Sequence, residues 1–294
     1  MRAILAVCMF FFLSACGGSD EGEPFTPAGC LVDPDCRQVL VTAHRGYHAD
    51  HPENSLAAVR ATAELGAGFA EVDVAHTADE VLILMHDGSV DRTTDGTGEV
   101  NQMTWAEIGQ LELLDCQAGN PESCEVPRFD DVLALADELG LMLYLDVKTG
   151  RTDLVLEAIQ QGPYYHVSLV RDDLDKVVPL AGQDEELLVM PPVETLLELE
   201  AARTAIPDLV IVELGSGAPD PEFTAAADSL GIKVQQDVMA YGDVLGATGD
   251  YSNWKEFIDA GIFLPQTDFP QLLVPAVEEY NLTGAFPEEG PGIF

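Results

Sequence analysis

The sequence predicts an α/β chain folded as a single-domain TIM (β/α)8 barrel, and three observations carry that prediction. From Val39 onward, short apolar runs alternate with stretches that carry apolar residues at helical spacing, the signature of βαβ units feeding a parallel sheet buried on both faces. The chain has 294 residues, enough for the roughly 250 that such a barrel takes. No Gly-rich phosphate fingerprint follows the first apolar run, which sets aside the doubly wound open sheet.

Taken in order, the strand candidates are Val39 to Ala43, Phe69 to Val74, Val81 to Met85, Leu141 to Val147, Val167 to Val170, Leu187 to Met190, Leu209 to Val212, Ile232 to Gln236 and Ile262 to Gln266. These are nine segments for a fold that needs eight, so one of the middle ones is an extra strand or no strand. Helical spacing marks Ser55 to Leu65, Asp130 to Leu139, Asp153 to Gln160, Val193 to Thr204 and Glu222 to Leu230. No internal repeat stands out.

Before the barrel comes an export signal. Met1 and Arg2 are followed by an uncharged stretch from Ala3 to Leu13, shorter than the ~20 apolar residues a spanning helix needs. It ends in Leu13-Ser14-Ala15-Cys16, which resembles the lipobox of bacterial lipoproteins, so residues 1–15 are expected to be removed and Cys16 to carry lipid. Residues 16–38, the lipidated Cys16 followed by Gly17-Gly18-Ser19-Asp20-Glu21 and onward, read as anchor and flexible tether, 39–279 as the barrel and 280–294 as a tail. The expected location is the bacterial envelope, on its periplasmic or surface face.

Composition narrows the partners. Lys and Arg total 13 against 52 Asp and Glu, a net charge of -39, so neutralisation of a phosphate backbone cannot drive binding and nucleic acid is a poor partner. With 47% hydrophobic residues the chain is not intrinsically disordered. Outside the leader and anchor, Cys30, Cys36, Cys116 and Cys124 remain. An exported protein makes disulfides the default, and sequence proximity favours Cys30 to Cys36 and Cys116 to Cys124; the spacings do not suit a zinc knuckle.

Five of the six histidines lie between His44 and His86, with Glu71 and Asp73 in the same window. His44 and Arg45 end the first strand, Glu71 and Asp73 lie on the second, and His86 and Asp87 end the third, so all are expected at the carboxyl rim, where barrels of this kind place their active sites. Residues two apart on a strand share a face, about 7 Å apart. Glu71 and Asp73 therefore converge, and Asp146 with Lys148 repeats the spacing on the fourth strand. Three gathered carboxylates repel one another unless a hard divalent cation lies among them, which implies Ca2+ or Mg2+, with Mn2+ a further candidate.

The motifs His44-Arg45-Gly46, Pro52-Glu53-Asn54-Ser55, Glu71-Val72-Asp73-Val74, His86-Asp87, Arg92 to Gly98 and Thr267-Asp268-Phe269-Pro270 resemble, in order and spacing, the signature series of the glycerophosphodiester phosphodiesterase family. The resemblance runs from about residue 39 to 275 and implies a TIM barrel that hydrolyses glycerophosphodiesters to glycerol 3-phosphate and an alcohol with a divalent metal. It further implies that Glu71, Asp73 and Asp146 hold the metal, that His44 is general base and His86 general acid, and that Arg45 and Lys148 grip the substrate phosphate. Pro52-Glu53-Asn54 also reads as a helix start and Arg92 to Gly98 as a turn, and both are expected to be mainly structural. His48, His51 and His76 are expected to be solvated or supporting.

Two departures stand out. The family usually has Glu where this chain has Asp146, which shortens that carboxylate by one methylene. Val234-Gln235-Gln236-Asp237-Val238-Met239 replaces an aromatic strand, and a Gly-rich segment from Ala240 to Ser252 is expected to overhang the mouth and choose the headgroup. Competing readings are a phosphodiesterase of the same barrel acting on intact lysophospholipid (lysophospholipase D) or sphingolipid, and a non-catalytic calcium-binding surface lipoprotein.

Overall fold

The computed structural model describes residues 25–184 and 186–293; Cys16 and the leader lie outside them. Its strands are β1 (Thr42–Ala43), β2 (Phe69–His76), β3 (Leu82–Leu84), β4 (Met142–Val147), β5 (Ser168–Arg171), β6 (Leu188–Met190), β7 (Pro192–Val193), β8 (Ile211–Leu214), β9 (Lys233–Asp237) and β10 (Leu264–Thr267). The parallel order is β6-β5-β4-β2-β1-β10-β9-β8-β7. β6 and β7 are halves of one strand on either side of Pro191, one bonded to β5 and the other to β8. Proline has no N–H for the ladder, so the strand breaks there. Glu213 nevertheless donates its N–H to the Pro191 carbonyl at 3.1 Å, and the ring has eight strand positions.

The extra strand is the third candidate. β3 runs antiparallel to β2, with Val74 opposite Leu84 and His76 opposite Leu82, and lies off the barrel. Its apolar run mimics a barrel strand because Ile83 is buried in a satellite core with Val90, Val100, Ile108, Leu113 and Val126, under the segment that connects β3 to β4. The expectation that His86 ends a parallel strand is therefore corrected: the hairpin turns back, and Met85 donates its N–H to the Asp73 carbonyl at 2.9 Å.

The expected helices form as Leu56–Glu64, Phe129–Leu139, Thr152–Gln161, Leu196–Ala205 and Pro221–Ser229. Leu174–Ala181 and Pro270–Thr283 went unpredicted, and each contains a proline, at 179 and 275, that interrupts the reading of helical spacing. Ser252–Asp259 is a further addition. Among the described residues no helix is long and apolar enough to cross a membrane.

Both ends of the expected barrel domain need correction. Pro27–Val32 is a helix capped by Thr26, and its Cys30 and Leu31 pack against Leu40, Phe69 and Met142. Part of the expected tether is thus a plug: apolar side chains facing the barrel interior at its amino-terminal end require a cover. At the other end Pro270–Thr283 runs past residue 279, Phe286 is buried, and Tyr251 donates its N–H to the Glu288 carbonyl at 2.8 Å. The Cys30–Cys36 and Cys116–Cys124 disulfides form as expected. Replacing Cys30 and Cys36 with serine is expected to cost about 2–3 kcal/mol, read as a lower urea midpoint at unchanged slope, with metal affinity retained.

Candidate active site

Parallel register gathers the carboxylates. Asp73 on β2 stands opposite Asp146 on β4, and Glu71 lies two residues before Asp73 on the same inward face. One ligand oxygen from each of Glu71, Asp73 and Asp146 falls within 4.8 Å of the others. Burial pushes the Glu71 carboxyl well above its ordinary value, Asp73 and Asp146 push it further, and the Arg45 N–H and the Lys148 ammonium only partly oppose them. An all-oxygen, mutually repelling donor set is the chemistry that a hard divalent cation satisfies, so these residues fit such an ion.

The loop after β1 presents backbone and side chain together. Arg45 has φ 52°, a left-handed conformation that aims its N–H at Glu71 Oε2, 2.8 Å away. Gly46 follows because an added Cβ would lie 2.8 Å from the Ala58 carbonyl carbon. The side chain of Asn54 holds Asp73 twice: its amide donates to Oδ2 at 2.7 Å, and its oxygen accepts the Asp73 N–H at 3.0 Å. Glu53 bridges two arginines, accepting from Arg45 at 3.0 Å and from Arg92 at 2.7 and 2.8 Å. Burial raises the Glu53 carboxyl, but the two guanidinium groups outweigh burial and hold it below its ordinary value. Glu53, Asn54 and Arg92 thus hold Asp73 and Arg45 in place, supporting contacts that reach beyond a helix start and a turn. The helix start itself is capped by Ser55, which accepts the Ala58 N–H at 3.0 Å.

Each candidate acid–base histidine has a carboxylate behind it. His44 Nδ1 bonds Asp268 Oδ1 at 2.7 Å, and His86 Nδ1 bonds Asp87 Oδ1 at 2.7 Å. A carboxylate accepts, so each pair places a proton on Nδ1 and leaves Nε2 for chemistry. Arg92 and His86 hold the Asp87 carboxyl low. Burial lifts Asp268, but His44, His48 and Arg45 outweigh it and keep it ionised below the usual range.

Asp268 is fixed in turn by Asp243, whose Oδ2 accepts the Asp268 N–H at 2.8 Å and whose Oδ1 accepts from Trp254 Nε1 at 2.8 Å and Thr267 Oγ1 at 2.7 Å. Burial lifts Asp243 to about 6 despite those bonds. The Gly-rich segment expected to overhang the mouth therefore also supports His44. It packs closely on Trp254, where a Cβ on Gly246 would meet the indole at 2.3 Å.

Lys148 and Arg45 lie in the cluster as expected, already engaged with carboxylates. Lys148 Nζ sits 2.6 Å from Asp146 Oδ2 and 3.1 Å from Asp73 Oδ1, while Arg45 Nε is 3.5 Å from Asp73 Oδ2. A further pair lies along the same rim: Arg171 on β5 bonds Glu213 on β8 at 2.5 Å and reaches Asp146 at 3.4 Å. Neither Arg171 nor Glu213 belongs to a sequence motif; only strand parity and register point to them. His48 lies 3.6 Å from Asp268, His76 bonds Thr149, and His166 pairs with Asp137 on the surface.

Among solved structures, a glycerophosphoryl diester phosphodiesterase from Parabacteroides distasonis superposes with a TM-score of 0.73 at 19% identity, covering 89% of this chain and 92% of that one. An Oleispira antarctica phosphodiesterase, solved with the product sn-glycerol-3-phosphate, gives a TM-score of 0.68 at 21% identity over 81% and 96% of the two chains. Both show the barrel fold. Glycerophosphodiester phosphodiesterase 1 of Bos taurus is 35% identical over 177 residues, 58% of this chain and 53% of that protein, and the Rattus norvegicus protein of the same name is 47% identical over 178 residues with the same coverage. The chain therefore matches about half the length of those relatives. Residues 44–251 match the model of the Glycerophosphoryl diester phosphodiesterase family, a span that takes in His44, Glu71, Asp73, His86 and Asp146, and the chain belongs to that family.

Proposed function

We propose that the protein hydrolyses glycerophosphodiesters to glycerol 3-phosphate and an alcohol, with one divalent cation, Ca2+ or Mg2+ by the hardness of the donors, held by Glu71, Asp73 and Asp146. The observation that supports this reading is the gathering of those three carboxylates within 4.8 Å, beside two histidines each backed by a carboxylate. A bound cation would supply charge neutralisation for an already anionic diester. Arg45 and Lys148, lying along the same carboxylates, orient the phosphoryl oxygens. His44, with its free Nε2, takes the proton from the attacking hydroxyl, either water or a glycerol hydroxyl. His86 gives a proton to the departing alcohol oxygen. Asp268 and Asp87 keep each ring in the required tautomer and stabilise it when charged.

The test is release of glycerol 3-phosphate from a defined glycerophosphodiester, supplied in turn with Ca2+, Mg2+ and Mn2+. Activity that appears with one of them and disappears with chelator supports the reading; no release under any of the three ends it. Measuring lysophosphatidylcholine in parallel separates the lipid-cleaving alternative. The chain is further proposed to be carried on a bacterial membrane through lipid on Cys16. Cys16→Ser is then expected to abolish fatty-acid labelling and move the protein from the membrane to the soluble fraction. Unchanged fractionation would remove the anchor.

A further inference from the structure

Arg171 lies beside the carboxylate cluster yet belongs to no sequence motif. In the ladders Asp73 stands opposite Asp146 and Asp146 opposite Arg171, so three neighbouring strands present these side chains in one inward row. The Arg171 guanidinium is only half used. Its Nε is held by Glu213 at 2.5 Å, whereas Nη1 lies 3.4 Å from Asp146 Oδ1, longer than the roughly 2.7–2.9 Å of a settled charged hydrogen bond. Nη2 has no hydrogen-bond partner among the described residues. The other two cations of the cluster each serve two carboxylates: Arg45 touches Glu53 and Asp73, and Lys148 lies between Asp146 and Asp73. Arg171 is nonetheless as accessible as Lys148, at 28% against 30% exposure.

The adjoining wall also calls for a polar occupant. Gln235 on β9 stands opposite Glu213 and shares its inward face, is fully buried, and neither polar atom of its amide has a partner among the described residues. A buried amide is costly to leave unpaired, so a polar group belongs against it. The competing reading of Arg171 is a brace, because β5 and β8 are the ladder partners of the two half-strands that Pro191 separates. A brace uses Nε alone. It gives no reason for the rest of a permanently charged fork to lie along a cation's ligand, whereas paired guanidinium donors match two oxygens of a phosphoryl group. Asp146, once its charge is given to a divalent cation, no longer competes for Nη1. Resting on the glycerophosphodiesterase reading, we propose that Arg171, aimed by Glu213, is a further phosphate-binding residue that donates from Nη1 and Nη2 to the phosphoryl oxygens of the substrate.

The experiment titrates sn-glycerol 3-phosphate calorimetrically into the native chain and into the Arg171→Gln/Glu213→Gln variant, each saturated with the divalent cation it binds best. Removing both charges together leaves neither partner buried and unpaired, and the melting temperature checks the fold. Affinity for sn-glycerol 3-phosphate is expected to fall about ten- to a hundredfold, while cation affinity stays level or rises because a positive neighbour of Asp146 has gone. Arg171→Lys keeps the charge and loses the fork, and is expected to fall between the two. Unchanged affinity for sn-glycerol 3-phosphate in the double variant would overturn the proposal and leave Arg171 a brace. Weaker cation binding, with sn-glycerol 3-phosphate affinity restored at higher cation concentration, would also overturn it, since Arg171 would then act by placing Asp146. Hydrolysis of a diester by the native chain alongside either result leaves the hydrolase standing. Arg171-dependent binding of sn-glycerol 3-phosphate by a chain that hydrolyses no diester would keep the contact and remove the hydrolase.

Discussion

Replacing His44 with alanine is expected to lower kcat for a glycerophosphodiester by about 10²–10⁴-fold while metal affinity stays within about twofold of native. The asymmetry follows from position. His44 is bonded to Asp268 at 2.7 Å and, among the described residues, its side chain makes no hydrogen bond or ion pair with the carboxylate cluster, so its removal takes away a proton acceptor and leaves the cation's ligands in place. His86→Ala is expected to fall in the same range. The double variant should lose much less than the product of the single losses, because either loss already breaks coupled proton transfer. Asp268→Asn provides the discriminating control: an amide opposite Nδ1 favours the wrong tautomer, so kcat falls while KM holds. Initial rates and calorimetric metal titration measure all of these. Native kcat in either single alanine variant would remove that histidine from the chemistry.

Glu71→Gln is expected to act in opposite directions with and without metal. Without it, the substitution should stabilise the fold by about 1–3 kcal/mol, since it removes a buried charge facing Asp73 and Asp146 and offers them an N–H in its place. The amide oxygen still accepts the Arg45 N–H. With metal, the native protein should gain about 2.7 kcal/mol at a hundredfold excess over Kd, and the variant should gain little. The sign of the pH effect follows from the raised Glu71 carboxyl. The stability associated with its protonation is complete below the ordinary value of 4.5, where the unfolded chain is protonated too, and is lost as pH rises through the higher folded value. Metal-free native protein should therefore lose stability over that interval and Glu71→Gln should not. Thermal unfolding with and without chelator, across pH, reads both effects; identical pH profiles for the two proteins would discard the buried-charge account.

Local chemistry made part of the site legible before any fold was drawn. Glu71 and Asp73 share a face because strand periodicity allows nothing else, and His44, Arg45 and Lys148 stand within two residues of strand ends that apolar patterning had already marked. The apolar run at Val81 to Met85 is legible for the right reason, burial, and misplaced for the same reason: a strand buried between the main core and a satellite core has the same composition as one buried in a barrel. The roles of Glu53, Asn54 and Arg92 were masked by good local explanations, a helix start and a turn. The pairing of Asn54 with Asp73 and of Glu53 with Arg92 is fixed only when separate segments meet.

What the sequence by itself determined is the set of residue types and their periodicity: the strand and helix alternation, the facing of each carboxylate, the two local disulfides. Those depend on interactions within a few residues. What only the tertiary structure decided is pairing at long range: which strand leaves the barrel, that Pro191 splits one strand between two neighbours, that Asp243 holds the carboxylate behind His44 from 25 residues away, and that Arg171 spans to Glu213 42 residues on. Such contacts depend on register and closure. These are properties of the assembled ring, and no stretch of chain carries them alone.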